Sequence, residues 1–271
     1  MKPKAIVYNK TYPEALDYIR EHCETVCFES LNDETYPAFL KELATAEGLY
    51  GSGLKVDSKL LDQAPKLKIV SNTSVGYDNL DIPELTRRNI MATNTPDVLD
   101  ETVADTMIGL MLAAARRIPE LDRRIRAGEW KKGSIGGKWF GIDMHHRTLG
   151  IIGLGRIGKA IARRARFGFQ MNILYHNRSR NPEAEAMFDA VYCSLDDLLR
   201  QSDFICLMTP LTPETRNLIG KREFERMKPT AIFVNGSRGA TVDEEALVEA
   251  LQTGQIRAAG LDVFVQEPLP A

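Results

Sequence analysis

The stretch "LGIIGLGRIGKAIARRA", residues 149–165, decides the fold. An apolar run with strand character passes directly into Gly153, Gly155 and Gly158. A segment with helical character then begins, "RIGKAIARRA", with Arg163, Arg164 and Arg166 at helical spacing beside apolar positions. A strand that turns tightly into a helix is the opening of a βαβ unit, whose two strands lie parallel.

Working outward, the same alternation fills both halves of the chain. Before residue 95 the apolar runs "AIVY", "TVCF", "GLYG", "LKIVSN" and "IMATN" alternate with amphipathic stretches such as "PEALDYIREH" and "YPAFLKELATA". After the glycine turn, "MNILYHN", "VYCS", "DFICLMTP", "AIFVNGS" and "RAAGLDVF" continue it, with a capping box at Ser194 and Asp197 opening "LDDLLRQ". The rhythm breaks at "NTPDVLDETVADT", where a single long helix is expected from Glu101 to about Gly128. The expected fold is therefore α/β, with two doubly wound parallel-sheet domains: a flavodoxin-like substrate-binding domain over 1–100 and a Rossmann dinucleotide-binding domain over 101–271. Two such domains invite a cleft.

Composition excludes several classes. With 271 residues, 44% hydrophobic and 27% charged, and a formal net charge of -2, the chain has the make-up of an ordinary globular protein and no basic excess for nucleic acid. The arginine groups at 116–117, 123–124 and 163–166 fall at helical spacing and read as solvated faces. Cys23, Cys27, Cys193 and Cys206 are too scattered for a disulfide framework and suit a reducing, cytoplasmic setting. His22 with Cys23 and Cys27 lacks a second ligand pair, so no metal is expected. No run approaches the ~20 apolar residues of a membrane span, and the N-terminus lacks the pattern of a signal peptide.

The three glycines have distinct uses in such a turn: the first for the bend, the second for close approach of a pyrophosphate, the third for packing helix on strand. The anion then sits on the helix N-terminus, where unpaired N–H groups and the helix dipole favour negative charge. An acidic residue usually follows about 20 residues on, to bind the ribose hydroxyls of NAD. Here that place reads "LYHNRSR", residues 174–180, with no acid before Glu183. A guanidinium at Arg178 and a hydroxyl at Ser179 suit a 2′-phosphate, so NADP(H) is expected ahead of NAD(H).

The motifs "SVGYDNLDI", "ETVADTMIGLML", "LGIIGLGRIGKAIA", "VNGSRGATVDEEAL" and "AAGLDVFVQEPL" resemble, in order and over nearly the whole chain, those of the D-isomer-specific 2-hydroxyacid dehydrogenases. Within that family "SVGYDN", "GEW", "HHRTLG" and "HNRSR" are most similar to the bacterial glyoxylate/hydroxypyruvate reductases that also reduce 2-ketogluconate. The resemblance implies hydride transfer to a small 2-keto acid. It places the substrate-binding arginine on Arg238 and its acidic partner, which raises the pKa of a histidine, on Glu267. The substrate carboxylate falls against the backbone of Val75 and Gly76. For the cofactor it implies Thr102, the turn Gly153, Leu154, Gly155, Arg156, Ile157 and Gly158, then Asn177, Arg178 and Ser179, Thr209 and Pro210, Asn235 and Gly236, and Asp262.

The family's histidine belongs to a short "PH-x-G" motif beyond "EP", whereas the sequence given ends at Ala271, so a truncated gene product lacking the C-terminal return segment is expected. His22, His145, His146 and His176 do not match that motif. The alternative reading is therefore a catalytically impaired dinucleotide-binding module. A homodimer is implied by resemblance, with the apolar face of the helix from Glu101 as the expected contact and burial of that face within its own domain as the other reading.

Overall fold

The structure is a computed structural model that describes residues 2–131, 133 and 137–269. The chain separates into two compact units, Met1–Val98 and Leu99–Ala271.

In the first unit, β1 (Lys4–Tyr8), β2 (Glu24–Phe28), β3 (Gly48–Gly51), β4 (Ile69–Asn72) and β5 (Met91–Thr93) form a sheet in the order β2-β1-β3-β4-β5. All four pairings are parallel, with Ile6 opposite both Val26 and Leu49. This is the flavodoxin-like order, in which the chain reverses direction between β1 and β3. Ile6, Leu49 and Val70 from the strands bury against Phe39, Leu43, Leu61 and Leu85 from the helices. Asp57 and Asp81 start two of those helices by accepting the N–H of Leu60 (3.2 Å) and Glu84 (3.0 Å).

In the second unit, β6 (Thr148–Ile152), β7 (Asn172–His176), β8 (Val191–Tyr192), β9 (Phe204–Leu207), β10 (Ile232–Asn235) and β11 (Ala258–Leu261) run β11-β10-β9-β6-β7-β8, again all parallel. The strands β9 and β10 are buried along their whole length, as central parallel strands are, because helices cover both faces of the sheet. One face packs Met107, Met111, Ile161 and Ala165; the other packs Leu198, Phe224, Leu247 and Ile256. The direction reverses between β6 and β9. In open α/β sheets this is the place where ligands bind, beyond the carboxyl ends of the strands.

The expected single helix from Glu101 to Gly128 is two helices, Asp100–Ala115 and Ile118–Arg126, broken at Arg117 with φ +56°. Pro119 causes the break, since it has no N–H for the Ala115 carbonyl and its ring collides with it. That carbonyl instead accepts the N–H of Ile142 at 2.9 Å. Ala104, Met107, Ile108, Met111 and Ala115 are buried within the unit, so the apolar face expected at a dimer contact is covered by its own sheet and by the helix Arg156–Phe169.

Most residues of the arginine groups are paired. Arg163 and Arg164 reach Glu101 and Asp105 at 2.6–2.7 Å, Arg116 reaches Asp143 at 2.9 Å, and Arg166 meets Asp189. At the Ser194 cap, the hydroxyl accepts the Asp197 N–H (3.1 Å) and donates to the Asp197 carboxylate (2.6 Å). The shorter aspartate thus meets the cap's hydroxyl, where a glutamate reaches the cap's backbone. Among the described residues no helix is long and apolar enough to cross a membrane.

Met107 is fully buried and packs beneath Gly236, where a Cβ would meet its sulfur. Met107→Ala should lower the unfolding free energy of the second unit by about 2–5 kcal/mol through the cavity left behind. Urea unfolding followed by far-UV circular dichroism checks this.

Candidate dinucleotide and substrate site

At the carboxyl edge of the second sheet the glycine turn is fixed by close packing. Gly153 has φ +100°, and a Cβ there would lie 2.7 Å from the Met208 carbonyl carbon; one on Gly158 would lie 2.5 Å from the Gly153 oxygen. Neither position admits a side chain. Gly155 differs, since a Cβ there would meet nothing within 4 Å. It caps the helix Arg156–Phe169 without a side-chain bond, leaving first-turn N–H groups that have no intrahelical partner.

Leu154, between the glycines, is held by side chains from the end of β7. Its N–H donates to Asn177 Oδ1 at 2.6 Å, and its carbonyl accepts from Asn177 Nδ2 (3.4 Å) and Asn181 Nδ2 (3.2 Å). Asn177, expected to face the cofactor, thus spends its side chain on the turn. The sequence reading missed Asn181, although Asn before Pro182 at a helix start was a visible signal: Asn181 also caps that helix through the Ala184 N–H at 3.2 Å.

Beyond Asn177 the two arginines part. Arg180 grips Glu185 through two bonds of 2.6 and 3.0 Å, and the Tyr175 hydroxyl donates to the same carboxylate at 2.5 Å. First Arg180, then Tyr175, hold the Glu185 carboxyl below its ordinary range. Arg178 and Ser179 are exposed, and Arg178 forms no ion pair within 4 Å among the described residues.

The neighbouring strand ends complete the edge. Thr209, after β9, has a buried hydroxyl without a partner among the described residues, and its carbonyl accepts the Ser237 hydroxyl. The Pro210 carbonyl accepts Thr215 Oγ1 at 2.6 Å. Asn235, at the end of β10, accepts the Ser237 N–H (3.0 Å) and donates to the Arg238 carbonyl (3.1 Å), which Thr241 Oγ1 also reaches at 2.6 Å. The Arg238 backbone is thereby fixed. Its half-buried guanidinium donates to the Ser237 carbonyl at 2.8 Å. Asp262 is exposed, with its N–H on the Asn235 carbonyl at 3.0 Å. Thr102 is exposed on the first turn of the helix Asp100–Ala115, and Arg156 lies 3.6 Å from Asp100, whose other carboxylate oxygen is buried with no partner among the described residues.

The loops of Arg238 and Glu267 touch. A Cβ on Gly239 would collide with the Phe264–Val265 backbone, and the Phe264 N–H donates to Glu267 Oε1 at 2.8 Å. None of the histidines stands at this loop: His176 Nδ1 bonds the Cys193 carbonyl at 3.0 Å, His145 and His146 stack edge to face, and His22 packs on Tyr18.

In the first unit, Val75 and Gly76 follow β4, with carbonyls bound by Asn94 Nδ2 (2.9 Å) and Asn72 Nδ2 (2.8 Å). Their N–H groups have no partner among the described residues. A groove of about 570 Å³ between Leu110, Ala114 and the outer strand β11 contains none of the expected site residues. Among the described residues no cluster of three metal-binding side chains occurs.

An open space at Gly155, helix N–H groups without an intrahelical partner and the Thr209 hydroxyl, unpaired among the described residues, share one edge. Together they fit a dinucleotide whose pyrophosphate rests on the turn. Residues 108–271 match the family model "D-isomer specific 2-hydroxyacid dehydrogenase, NAD binding domain". The chain is 54% identical over its full length to glyoxylate/hydroxypyruvate reductase B of Enterobacter sp. (strain 638), spanning 83% of that protein. Among solved structures it resembles the NADPH-dependent glyoxylate/hydroxypyruvate reductase of Sinorhizobium meliloti in complex with NADP and malonate. There the TM-score is 0.85 and the identity 35%, over all of this chain and 82% of that one. It also resembles D-lactate dehydrogenase of Aquifex aeolicus with NAD and lactic acid, at TM-score 0.86 and 28% identity, over 97% of this chain and 78% of that one.

Because Gly155 faces open space while Gly153 is enclosed, substitutions there should separate binding from folding. Gly155→Val should leave the thermal midpoint within about 2 °C yet weaken dinucleotide binding at least ~10-fold by blocking the approach to the turn. Gly153→Ala should damage both. Calorimetric unfolding and a cofactor fluorescence titration on the same preparations check the pair.

Proposed function

The chain belongs to the D-isomer-specific 2-hydroxyacid dehydrogenase family, and on that premise we propose that it is an NADPH-preferring reductase of small 2-keto acids. Glyoxylate, hydroxypyruvate and 2-ketogluconate are its substrates and D-2-hydroxy acids its products. The observation that carries the cofactor preference is the end of β7: Asn177 is committed to the turn, Arg180 is committed to Glu185, and Arg178 with Ser179 is left exposed. A guanidinium and a hydroxyl there favour a 2′-phosphate, which a carboxylate would repel.

Roles follow from chemistry at each position. The reduced nicotinamide, when bound, supplies the hydride for the keto carbon. Arg238 forks onto the keto acid and draws charge toward the carbonyl oxygen, for which its fixed backbone is suited. The peptide N–H groups of Val75 and Gly76 bind the substrate carboxylate. Glu267 acts as the carboxylate partner of a histidine acid, stabilising the imidazolium form that donates to the carbonyl oxygen. In this division the first unit, 1–100, carries substrate binding and the second, 101–271, carries the dinucleotide.

The second reading, a dinucleotide-binding module without turnover, rests on one observation: no histidine among the described residues meets Glu267. Both readings are separated by one experiment on the 271-residue chain, NADPH binding by fluorescence with glyoxylate- or hydroxypyruvate-dependent NADPH oxidation in the same cuvette. Binding with turnover supports the reductase; binding with negligible turnover supports the module.

The free thiols of Cys23, Cys27, Cys193 and Cys206 suit a cytoplasmic enzyme. For a homodimer, the helix Ile118–Arg126 offers the contact, with Ile118 and Ile125 exposed and no residue of the helix buried. Sedimentation showing only monomer at micromolar concentration would remove the dimer.

Arg178→Asp should raise the NADPH dissociation constant roughly 10- to 150-fold, the equivalent of about 1.5–3 kcal/mol for a charge-assisted bond, with little change for NADH. Equal weakening of both cofactors would show that Arg178 does not read the 2′-phosphate. Arg238→Lys keeps the charge and loses the fork, and kcat/KM should fall about 100-fold while NADPH affinity holds.

A further inference from the structure

The loop after β4 is anchored through its carbonyls. Four consecutive carbonyl groups bond back into the first unit: Ser74 to the Thr95 N–H (3.1 Å), Val75 to Asn94 Nδ2 (2.9 Å), Gly76 to Asn72 Nδ2 (2.8 Å) and Tyr77 to the Leu80 N–H (3.0 Å). Asn72 is 1% exposed, and its own Oδ1 accepts Asn79 Nδ2 at 3.4 Å. Asn79 in turn donates to the Leu54 carbonyl (2.8 Å) and accepts the Val56 N–H (2.8 Å).

In a trans peptide the C=O and the following N–H point in opposite directions across one rigid plane. A plane whose carbonyl is bound inward presents its N–H outward. Thr95 therefore orients the N–H of Val75, Asn94 that of Gly76, and Asn72 that of Tyr77. None of these three N–H groups has a partner among the described residues. Three successive amide donors on one loop make a cradle for an anion.

We propose that Asn72 and Asn94 are positioning residues that hold three peptide N–H groups, those of Val75, Gly76 and Tyr77, as the receptor for the substrate carboxylate. This rests on the reading of the loop given above and adds to it a third donor and the two side chains that aim the set. Neither asparagine touches the substrate; each acts through the plane whose carbonyl it binds.

The test is a titration of the full chain with oxalate, the two-carbon dicarboxylate that mimics a small keto acid, followed by amide NMR, with NADPH affinity measured in parallel. The resonances of Val75, Gly76 and Tyr77 should shift together and saturate. In Asn94→Ala, and in Asn72→Asp, which keeps the shape and loses the donor, the oxalate dissociation constant should rise at least ~10-fold while NADPH affinity stays unchanged. Asn94 is only half-buried, so its variant serves should the buried Asn72 variant fail to fold. Unchanged oxalate affinity in a folded Asn94 variant overturns the positioning role and leaves the reductase reading standing. Shifts confined to Val75 and Gly76 remove Tyr77 as a donor. A parent chain whose loop amides ignore oxalate while NADPH binds overturns the carboxylate assignment itself.

Discussion

Parallel pairing is the constraint on which the rest depends. When every strand runs the same way, every strand ends at the same edge, and the loops that leave must share the work of satisfying it. In the second unit this is done by one repeated bond. The first residue out of four of the six strands donates its N–H to the last carbonyl of a neighbouring strand: Gly153 to His176, Met208 to Ile152, Gly236 to Leu207 and Asp262 to Asn235. The chain thus enters these four loops from a fixed point and in a fixed direction. Residues separated by more than a hundred positions are brought to one edge by backbone bonds alone.

What the backbone leaves undone, asparagine side chains complete. Asn177 and Asn181 hold the Leu154 peptide, Asn235 holds the Arg238 carbonyl, and Asn72 and Asn94 hold the loop after β4. An amide side chain carries a donor and an acceptor in the geometry of a peptide, so it extends the hydrogen-bond pattern of a sheet past the end of its strands. Each such bond contributes only about 1 kcal/mol to stability. Its larger effect is to leave a loop one conformation in which its outward N–H groups are already aimed, so that ordering need not accompany binding.

Much of this was legible in the sequence. Strand and helix alternation gave the two sheets, because buried parallel strands are short apolar runs that few other elements imitate, and the spacing of Gly153, Gly155 and Gly158 located the turn. The helix break at Arg117 was hidden, since the apolar period runs on through it and only Pro119 marks it; a proline near a helix start and one inside a helix look alike in sequence. The direction of the Asn177 side chain was also out of reach. Its neighbours Arg178 and Ser179 made it appear part of a cofactor surface, whereas its partner Leu154 lies 23 residues away and shows only once β6 and β7 are paired. Long-range side-chain to backbone bonds leave no periodicity, and the clamps made by Asn177, Asn181 and Asn94 are of that kind.

The loop after β7 shows how such bonds decide which side chains stay exposed. Two arginines flank Ser179, but Glu185 takes one of them, so the charge offered to a ligand is that of Arg178 alone. Because Arg180 and Tyr175 hold the Glu185 carboxyl below its ordinary range, this pairing is complete above the ordinary glutamate pKa and weakens only as pH falls below it. A phosphate monoester loses its second charge near pH ~6. Near that pH the Arg180–Glu185 pair is still formed, so Arg180 stays committed while a phosphate ligand changes its charge. The Glu185 lock commits Arg180, and Arg178 is left as the exposed guanidinium of this loop.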